Sequence, residues 1–294
     1  MLSVLIPVYN RDITSLVKEI HQQCESLKIE FEIIALDDFS PDLAVRKSNS
    51  NLHLNHYSYI QSPINLGNAE ARNELSRQAH YDSLLFLDCD VLPVRSDFIK
   101  RYLEFKGEPK IVCGGILYED LQDNRFSLRW KFGKKHEEIS PMESQKNPYL
   151  NIRGCNFFIP KSVFQRHPFT TLKSSYGYVD TFFALSLQKA GVDAAHIDNP
   201  VYHLGLEENK VYVHKFEKSI RNAKWLLKNH PEIAAHLRLV VFYKKMKNIG
   251  LDKFIAFLFR ILRKPILSNL YSENPSLFLF QVYKLGYLCH LKEE

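Results

Sequence analysis

Two carboxylates two residues apart, at the end of an apolar run, give the first chemical signal in this sequence. Asp88-Cys89-Asp90 follows Leu84-Leu85-Phe86-Leu87. Such a run reads as a buried strand, and strand side chains alternate, so residues two apart point the same way. Two acidic oxygen donors on one side suit a hard divalent cation such as Mn2+ or Mg2+ that phosphates also hold. A nucleoside diphosphate is a partner of that kind. Asp37-Asp38 ends a second apolar run, Phe31 to Leu36, and leads into Phe39-Ser40. A buried carboxylate there can accept hydrogen bonds from a nucleobase N–H or a ribose hydroxyl. The string Asn65-x-Gly67-x-Ala69-x-Ala71-Arg72-Asn73 is more specific. Gly67 permits an unusual backbone angle, and the alanines permit close approach. Arg72 sits about two turns into the expected helix, where it can be aimed at base or phosphates.

The elements that must carry these residues alternate. Leu2 to Val8 is an apolar run, and Ile13, Leu16, Val17, Ile20, Cys24 and Leu27 recur at helical spacing. A strand near Leu54 to Ile60 precedes the Asn65 string, which opens a helix to about Ala79. This β-α-β-α order predicts an α/β fold, a mostly parallel sheet with helices on both faces. In such sheets ligands bind beyond the carboxyl ends of the strands. Three of the four runs end there in polar residues: Tyr9-Asn10, Asp37-Asp38 and Asp88-Cys89-Asp90. A further helix and strand are expected from Arg95 to about Ile116. Residues 118–150 read as polar and irregular, with Trp130-Lys131-Phe132-Gly133 as an aromatic island. Core character resumes from Ile152 to Pro160, and a helix from Thr181 to Ala190 stops at Gly191. Two short runs follow, Asp193 to Ile197 and Val201 to Leu204. Beyond about Lys210 the pattern is helical, with breaks expected at Pro231 and Pro265.

Composition limits the function classes. Of 294 residues, 45% are hydrophobic and 24% charged, a balance that builds a sizeable core. The net charge of +6 comes without a long run of like charge, so nucleic acid is not an expected partner. Five scattered cysteines with no CxxC pair indicate neither a zinc site nor a disulfide framework, and fit a reducing, cytoplasmic compartment. Met1 runs directly into LSVLIPV, so no signal peptide is expected, and no apolar stretch reaches the roughly 20 residues that span a bilayer. After the first strand stands Tyr9-Asn10-Arg11-Asp12 rather than Gly-x-Gly-x-x-Gly, which disfavours a dinucleotide-dependent dehydrogenase; a phosphate-binding P-loop is likewise absent.

Pro7-Val8-Tyr9-Asn10, Asp37-Asp38-x-Ser40, the Asn65 to Asn73 string and Asp88-x-Asp90 resemble, in order and spacing, the successive signatures of family 2 glycosyltransferases with the GT-A fold. Gly154-Cys155-Asn156-Phe157-Phe158-Ile159-Pro160 resembles the family's acceptor-side strand. Tyr176-Gly177-Tyr178-Val179-Asp180 resembles its Gly-x-Glu-Asp motif. The resemblance implies an inverting, nucleotide-sugar-dependent enzyme. Pro7, Tyr9, Asp38, Asn65, Gly67, Arg72 and Asp88 would bind the nucleotide sugar, with Asp88 near the ribose. Asp90 and His203 would hold Mn2+ or Mg2+, and Asp180 would be the catalytic base. Trp130 and Tyr178, with Phe132, are candidates for stacking on acceptor sugar rings. The donor would be a nucleotide diphosphate sugar, UDP-linked by preference, carrying a hexosyl or N-acetylhexosaminyl group. The acceptor would be a glycan or a lipid-linked glycan, as in polysaccharide or cell-surface glycan synthesis. Val179 stands where the family has glutamate, and the alternative it raises is an inactive relative that binds nucleotide sugar. The expected organisation is a catalytic domain over 1–209, with a donor half at 1–116 and an acceptor half at 117–209, and a helical extension over 210–294.

That extension carries its own signal. From Arg238 to Lys264 the cations Arg238, Lys244, Lys245, Lys247, Lys253, Arg260, Arg263 and Lys264 face one acid, Asp252. Phe254, Ile255, Phe257, Leu258, Phe259, Ile261 and Leu262 are interleaved. A basic, aromatic-rich helix of this kind suits the surface of an anionic membrane, here its inner face. The apolar residues are expected to pack inward and the cations to meet lipid.

Overall fold

The computed structural model describes residues 1–170 and 177–291. They form two compact units: residues 1–119, 136–170 and 179–205 make the first, and residues 120–135, 177–178 and 206–291 the second.

The first unit begins β1 (Leu2–Val8), α1 (Thr14–Ser26), β2 (Phe31–Asp37), α2 (Leu43–Ser50), β3 (Tyr57–Gln61), α3 (Asn68–Gln78) and β4 (Ser83–Leu87). It continues through β5 (Val91–Pro93), α4 (Phe98–Leu103), β6 (Ile111–Cys113) and β7 (Ile116–Leu117). The chain then forms α5 (Ser127–His136), nearly all of it in the second unit. Back in the first unit lie α6 (Pro141–Gln145), β8 (Asn156–Pro160), α7 (Lys161–Arg166), α8 (Val179–Lys189), β9 (Ala194–His196) and β10 (Val201–His203).

Among the described residues, seven strands form the main sheet in the order β3-β2-β1-β4-β8-β6-β9. β3, β2, β1 and β4 run parallel, β8 runs antiparallel to both β4 and β6, and β9 lies parallel to β6. A strand covered on both faces needs an unbroken apolar run, and β1 and β4 supply one. In α1, Leu16, Val17, Ile20 and Cys24 are buried, the residues that recur at helical spacing. Ala69 and Ala71 on α3 join Leu5, Ile34, Leu36, Phe86 and Phe157 in one core, where their small side chains let the helix lie close to the sheet. Full burial of each large member contributes about 1.5–3 kcal/mol. In a second sheet, β5-β10-β7, β5 follows β4 closely in sequence, and β10 pairs antiparallel with β5 and parallel with β7.

The second unit contains α5, α9 (Asn209–Asn229), α10 (Pro231–Ala234), α11 (Arg238–Asn248), α12 (Asp252–Leu270) and α13 (Leu277–His290). Its core collects Leu128, Tyr212, Ile220, Tyr243, Phe259, Ile266, Leu270, Phe280 and Tyr283. α12 and α13 approach closely at Gly286, where a Cβ would lie 2.4 Å from Phe259 Cδ2.

Three expectations from the sequence need correction here. Residues 118–150 are not irregular, since α5 and α6 lie within them; Leu128 anchors α5 in the helical core. Pro231 does start a new helix, but Pro265 lies inside α12, which burial of Ile266 and Leu270 carries past it. Phe132 does not present a stacking face: it packs against Tyr212, Phe216 and Phe280 with ring centroids 6.1, 5.6 and 6.0 Å away. No helix among the described residues is long and apolar enough to cross a membrane.

Candidate active site

The strand-end segments of the first unit are tied to each other through backbone groups. After β1, Asp38 N donates to Val8 O at 2.8 Å and Asn10 N donates to Ser40 Oγ at 2.7 Å. Asp37 is fully buried and structural: it accepts from Ser40 N at 2.8 Å and from the Tyr59 hydroxyl at 2.6 Å. Asp38 organises the next segment. Its Oδ2 accepts from Gly67 N at 2.9 Å, its Oδ1 from Leu66 N, and its carbonyl from Asn65 Nδ2 at 2.9 Å. Gly67 has φ +79, a conformation that a side chain would strain, and it stands just before α3. Asp38, Asn65 and Gly67 are thus one assembly. Pro7 is half-buried near the end of β1, and Tyr9 beyond it is 55% exposed.

Arg72 reaches the next segment. It is 1% exposed and projects from α3. One guanidinium nitrogen pairs with Asp88 Oδ1 and also donates to Gly154 O at 3.1 Å; the group lies over the Phe169 ring at 5.3 Å. Gly154 N in turn donates to Asp180 Oδ2 at 3.1 Å. Arg72, Asp88, Gly154 and Asp180 therefore form one polar chain. Gly154 is required by space: a Cβ there would lie 2.7 Å from Asp180 Oδ1 and 3.0 Å from Arg72 Nη2. Asp180 lies in the first turn of α8, where the helix dipole favours a carboxylate. Val179 beside it packs against the apolar core of the unit.

β4 stops at Leu87, so Asp88 and Asp90 occupy the turn before β5, and strand alternation does not orient them. The turn still gathers charge. Desolvation pushes the Asp88 carboxyl up to about 6; Arg72 opposes this, and the neighbouring Asp90 and Asp180 carboxylates add to it. Asp90 Oδ2 lies 3.8 Å from His203 Nε2, and Asp90 O accepts from Leu204 N at 2.8 Å. The His203 ring stacks on Tyr118, centroids 5.5 Å apart, and the Tyr118 hydroxyl donates to Glu137. Gly205 leaves room for the carboxylate of Asp90, since a Cβ there would fall 1.8 Å from Oδ2. Between the two aspartates, burial pushes the Cys89 thiol up to about 12, which keeps it protonated and unreactive.

Among the described residues no three His, Cys, Asp or Glu side chains gather as a closed metal site. Asp90 and His203 supply one oxygen and one nitrogen donor. A cation there would take its remaining ligands from phosphate oxygens and water, the usual arrangement for Mg2+ on a nucleotide. Three carboxylates within electrostatic reach of one another, one of them paired with Arg72, also leave a negative surplus that a divalent cation would offset. The donor set fits.

Trp130 and Tyr178 belong to the second unit. Trp130 lines an open groove of about 570 Å³ with Asp120, Asn124, Lys131, Glu273 and Asn274. Tyr178 has φ +70, and burial raises its phenol pKa while a hydrogen bond with Ser219 lowers it. Tyr176 lies outside the described residues. Gly154, Gly205, Tyr118 and Arg11, whose guanidinium donates to Leu204 O at 3.3 Å, were not singled out as site residues by the sequence reading. The two glycines carried a detectable signal, each standing beside a segment already marked by chemistry.

A family model for glycosyl transferase family 2 matches residues 3–169. A Bacillus subtilis (strain 168) protein described as the uncharacterized glycosyltransferase YfnE is 28% identical over 139 residues, 46% of this chain and 34% of that protein, so the chain spans about a third of that relative's length. Among solved structures, the mannosyltransferase PcManGT from Pyrobaculum calidifontis, in complex with GDP-Man and Mn2+, is similar with a TM-score of 0.53 and 12% identity, covering 98% of this chain and 85% of that one. Residues 1–349 of S. aureus TarS, in complex with UDP-GlcNAc, give 0.50 and 14%, covering 97% and 90%. Glucosyl-3-phosphoglycerate synthase from Mycobacterium tuberculosis, with Mg2+ and UDP, gives 0.50 and 15%, covering 77% and 78%. At these identities the likeness is one of fold, the GT-A arrangement of a mostly parallel sheet flanked by helices.

Proposed function

The chain belongs to glycosyl transferase family 2, and from that premise we propose that it is a glycosyltransferase that transfers a hexosyl or N-acetylhexosaminyl group, with inversion, from a UDP-sugar to a hydroxyl of a glycan or lipid-linked glycan. The observation that carries this reading is the convergence of Arg72, Asp88, Gly154 and Asp180 beside Asp90. These residues come from four separate segments of the chain.

Asp38, Asn65 and Gly67 shape the cradle for the nucleoside, with Pro7 and Tyr9 as its apolar wall. Each Asp38 oxygen keeps a second lone pair for a base N–H. Arg72 acts through Asp88: it holds that carboxylate in place toward the ribose. Asp90 and His203 would hold Mn2+ or Mg2+, which when bound would neutralise charge on the departing diphosphate. Asp180 accepts the proton of the acceptor hydroxyl as its oxygen bonds to the anomeric carbon and the bond to the diphosphate breaks. The Gly154 N–H fixes the orientation of Asp180. A single displacement inverts the anomeric carbon. The similar structures hold UDP, UDP-GlcNAc or GDP-Man, which supports a nucleoside diphosphate sugar as the donor class. For the acceptor, the groove beside Trp130 offers what saccharides bind, an aromatic face among carboxylates and amides. The basic, aromatic-rich stretch from Arg238 to Lys264 supports a cytoplasmic site of action at the inner face of an anionic membrane, as in polysaccharide or cell-surface glycan synthesis.

A screen of nucleotide sugars with Mn2+ or Mg2+ tests this, reading both binding and release of the nucleoside diphosphate. A UDP-sugar that binds and is turned over only with metal present is the expected result. Binding with no hydrolysis or transfer to any glycan acceptor would instead mark an inactive nucleotide-sugar-binding relative.

A further inference from the structure

Among the described residues, one helix of the second unit has an uncovered apolar face. On α12 the inward residues are Phe259, Ile266 and Leu270, at 3%, 6% and 0% exposure. Phe254, Phe257, Leu258, Ile261 and Leu262 are 56%, 58%, 37%, 59% and 45% exposed, and Pro265 is exposed with them. These outward residues follow the spacing i, i+3, i+4, i+7, i+8, i+11, an arc of about 140° at helical periodicity. The helix therefore has two apolar faces, one for its own core and one for something else. Lys253, Arg260 and Lys264 are exposed and share one edge of the outward arc by the same periodicity. From residue 253 to 264 there is no acid. Ile249 and Leu251, just ahead of α12, are 64% and 42% exposed. Contiguous apolar surface of this extent on a folded chain marks an interaction site.

We propose that α12 is a membrane-docking helix that lies in the plane of an anionic bilayer and inserts Phe254, Phe257, Leu258, Ile261 and Leu262 below the headgroups, with Lys253, Arg260 and Lys264 at phosphate level. Charge decides the occupant. A second copy pairing through this face in a two-fold dimer would set these cations side by side if antiparallel and would offer them no acid between residues 253 and 264 if parallel. An anionic headgroup layer meets them with opposite charge, and each adds about 1 kcal/mol. Length agrees: 19 residues make a helix about 28 Å long, with too many cations to cross the bilayer and enough apolar surface to lie in it. This deepens the membrane assignment made above and rests on it for the identity of the surface. It also reverses the expectation that the apolar residues pack inward while the cations alone meet lipid.

Co-sedimentation of the full chain with vesicles of phosphatidylglycerol and phosphatidylcholine, and with phosphatidylcholine alone, tests it. The protein should bind the anionic vesicles, and part of the binding should survive high salt. The double variant Phe257→Ser/Ile261→Ser should bind at least roughly tenfold more weakly, with unchanged circular dichroism, donor binding and turnover of soluble donor. The triple variant Lys253→Gln/Arg260→Gln/Lys264→Gln should lose anionic preference and keep residual affinity. Binding that salt abolishes completely and that the Ser variant retains would overturn insertion, while leaving a purely electrostatic membrane contact. Absence of vesicle binding, with a concentration-dependent dimer that the Ser variant dissolves, would overturn it in favour of a second copy and remove the membrane assignment as well. Either failure leaves the glycosyltransferase reading untouched.

Discussion

Arg72 and Lys284 are both buried cations, one in each unit, and they are held by opposite means. Arg72 meets an opposite charge 16 residues on and a backbone carbonyl 82 residues on, besides the Asn68 carbonyl of its own helix. Lys284, at 8% exposure, lies over the rings of Phe132, Phe216 and Phe280 at 5.1, 5.0 and 4.8 Å. Burial lowers its pKa to about 8, and the aromatic faces favour the cation against that penalty. Nearby, Glu217 accepts from the Tyr283 hydroxyl at 2.5 Å and from Arg263 at 3.3 Å, an exchange between α9, α12 and α13 within the helical core. Charge in the first unit is gathered at loops beyond strand ends, where a ligand can reach it. The buried charge of the second, Lys284 and Glu217, is enclosed by the packing of its helices. The first pattern is that of a site, and the second is that of a scaffold.

That contrast is open to direct attack. The largest effect expected is on stability in the first unit: Arg72→Met should cost about 3–5 kcal/mol, because it leaves Asp88 without its counter-charge. Urea unfolding measures it, and a loss below about 1 kcal/mol would mean the pair is as dispensable as a surface ion pair. Asp90→Asn should follow, lowering metal-dependent turnover about 10²–10³-fold because a neutral amide is a poorer ligand for a hard cation. A variant with full turnover at low metal concentration would remove Asp90 from the site. Gly154→Ala comes next. Its Cβ would crowd Asp180 Oδ1 at 2.7 Å, and the displaced carboxylate should lower kcat up to about 10²-fold with donor affinity less affected. Equal loss of both would indicate general damage to the fold.

The smallest effect belongs to the second unit. Lys284→Met should be neutral to stabilising at pH 7, by about 1–2 kcal/mol, without change in turnover. The sign follows from linkage. A lysine whose folded pKa is lowered from 10.5 to about 8 binds fewer protons folded than unfolded between those values, so stability rises with pH across that window. The methionine variant should lack this rise. Thermal unfolding of both proteins between pH 7 and 10 measures the difference, and identical pH dependence would mean that Lys284 is not desolvated.

The same contrast decides what was readable from sequence. Strand-end chemistry announces itself, because an apolar run that stops at Asp37-Asp38 or Asp88-Cys89-Asp90 changes character within one residue. β1, β2 and β4 and the Asn65 to Arg72 segment were legible for that reason. The partner of each charge was not. Arg72 could be placed on a helix, but nothing near it in sequence points to Asp88 or to the carbonyl of Gly154, which is 82 residues away. Glu217, Arg263 and Tyr283 sit in mid-helix positions that resemble solvated ones. Helix α12 shows the limit most plainly. Its 3.6-residue period is legible, but two apolar arcs produce the same apolar count whichever one faces the core. Phe259 lies in the interior as inward packing requires, whereas Phe254, Phe257, Leu258, Ile261 and Leu262 are exposed.

The central claim is that the carboxylates of the first unit divide the work, with Asp180 acting on the acceptor and the Asp38 to Asp90 set on the donor. Parallel titration of a UDP-sugar with Mn2+ and measurement of sugar transfer, for wild type and Asp180→Asn, test it most directly. The account predicts donor affinity within about twofold of wild type and transfer lowered about 10²–10⁴-fold, the range for removal of a general base. A variant that loses donor affinity and keeps its transfer rate would place Asp180 on the donor and contradict it.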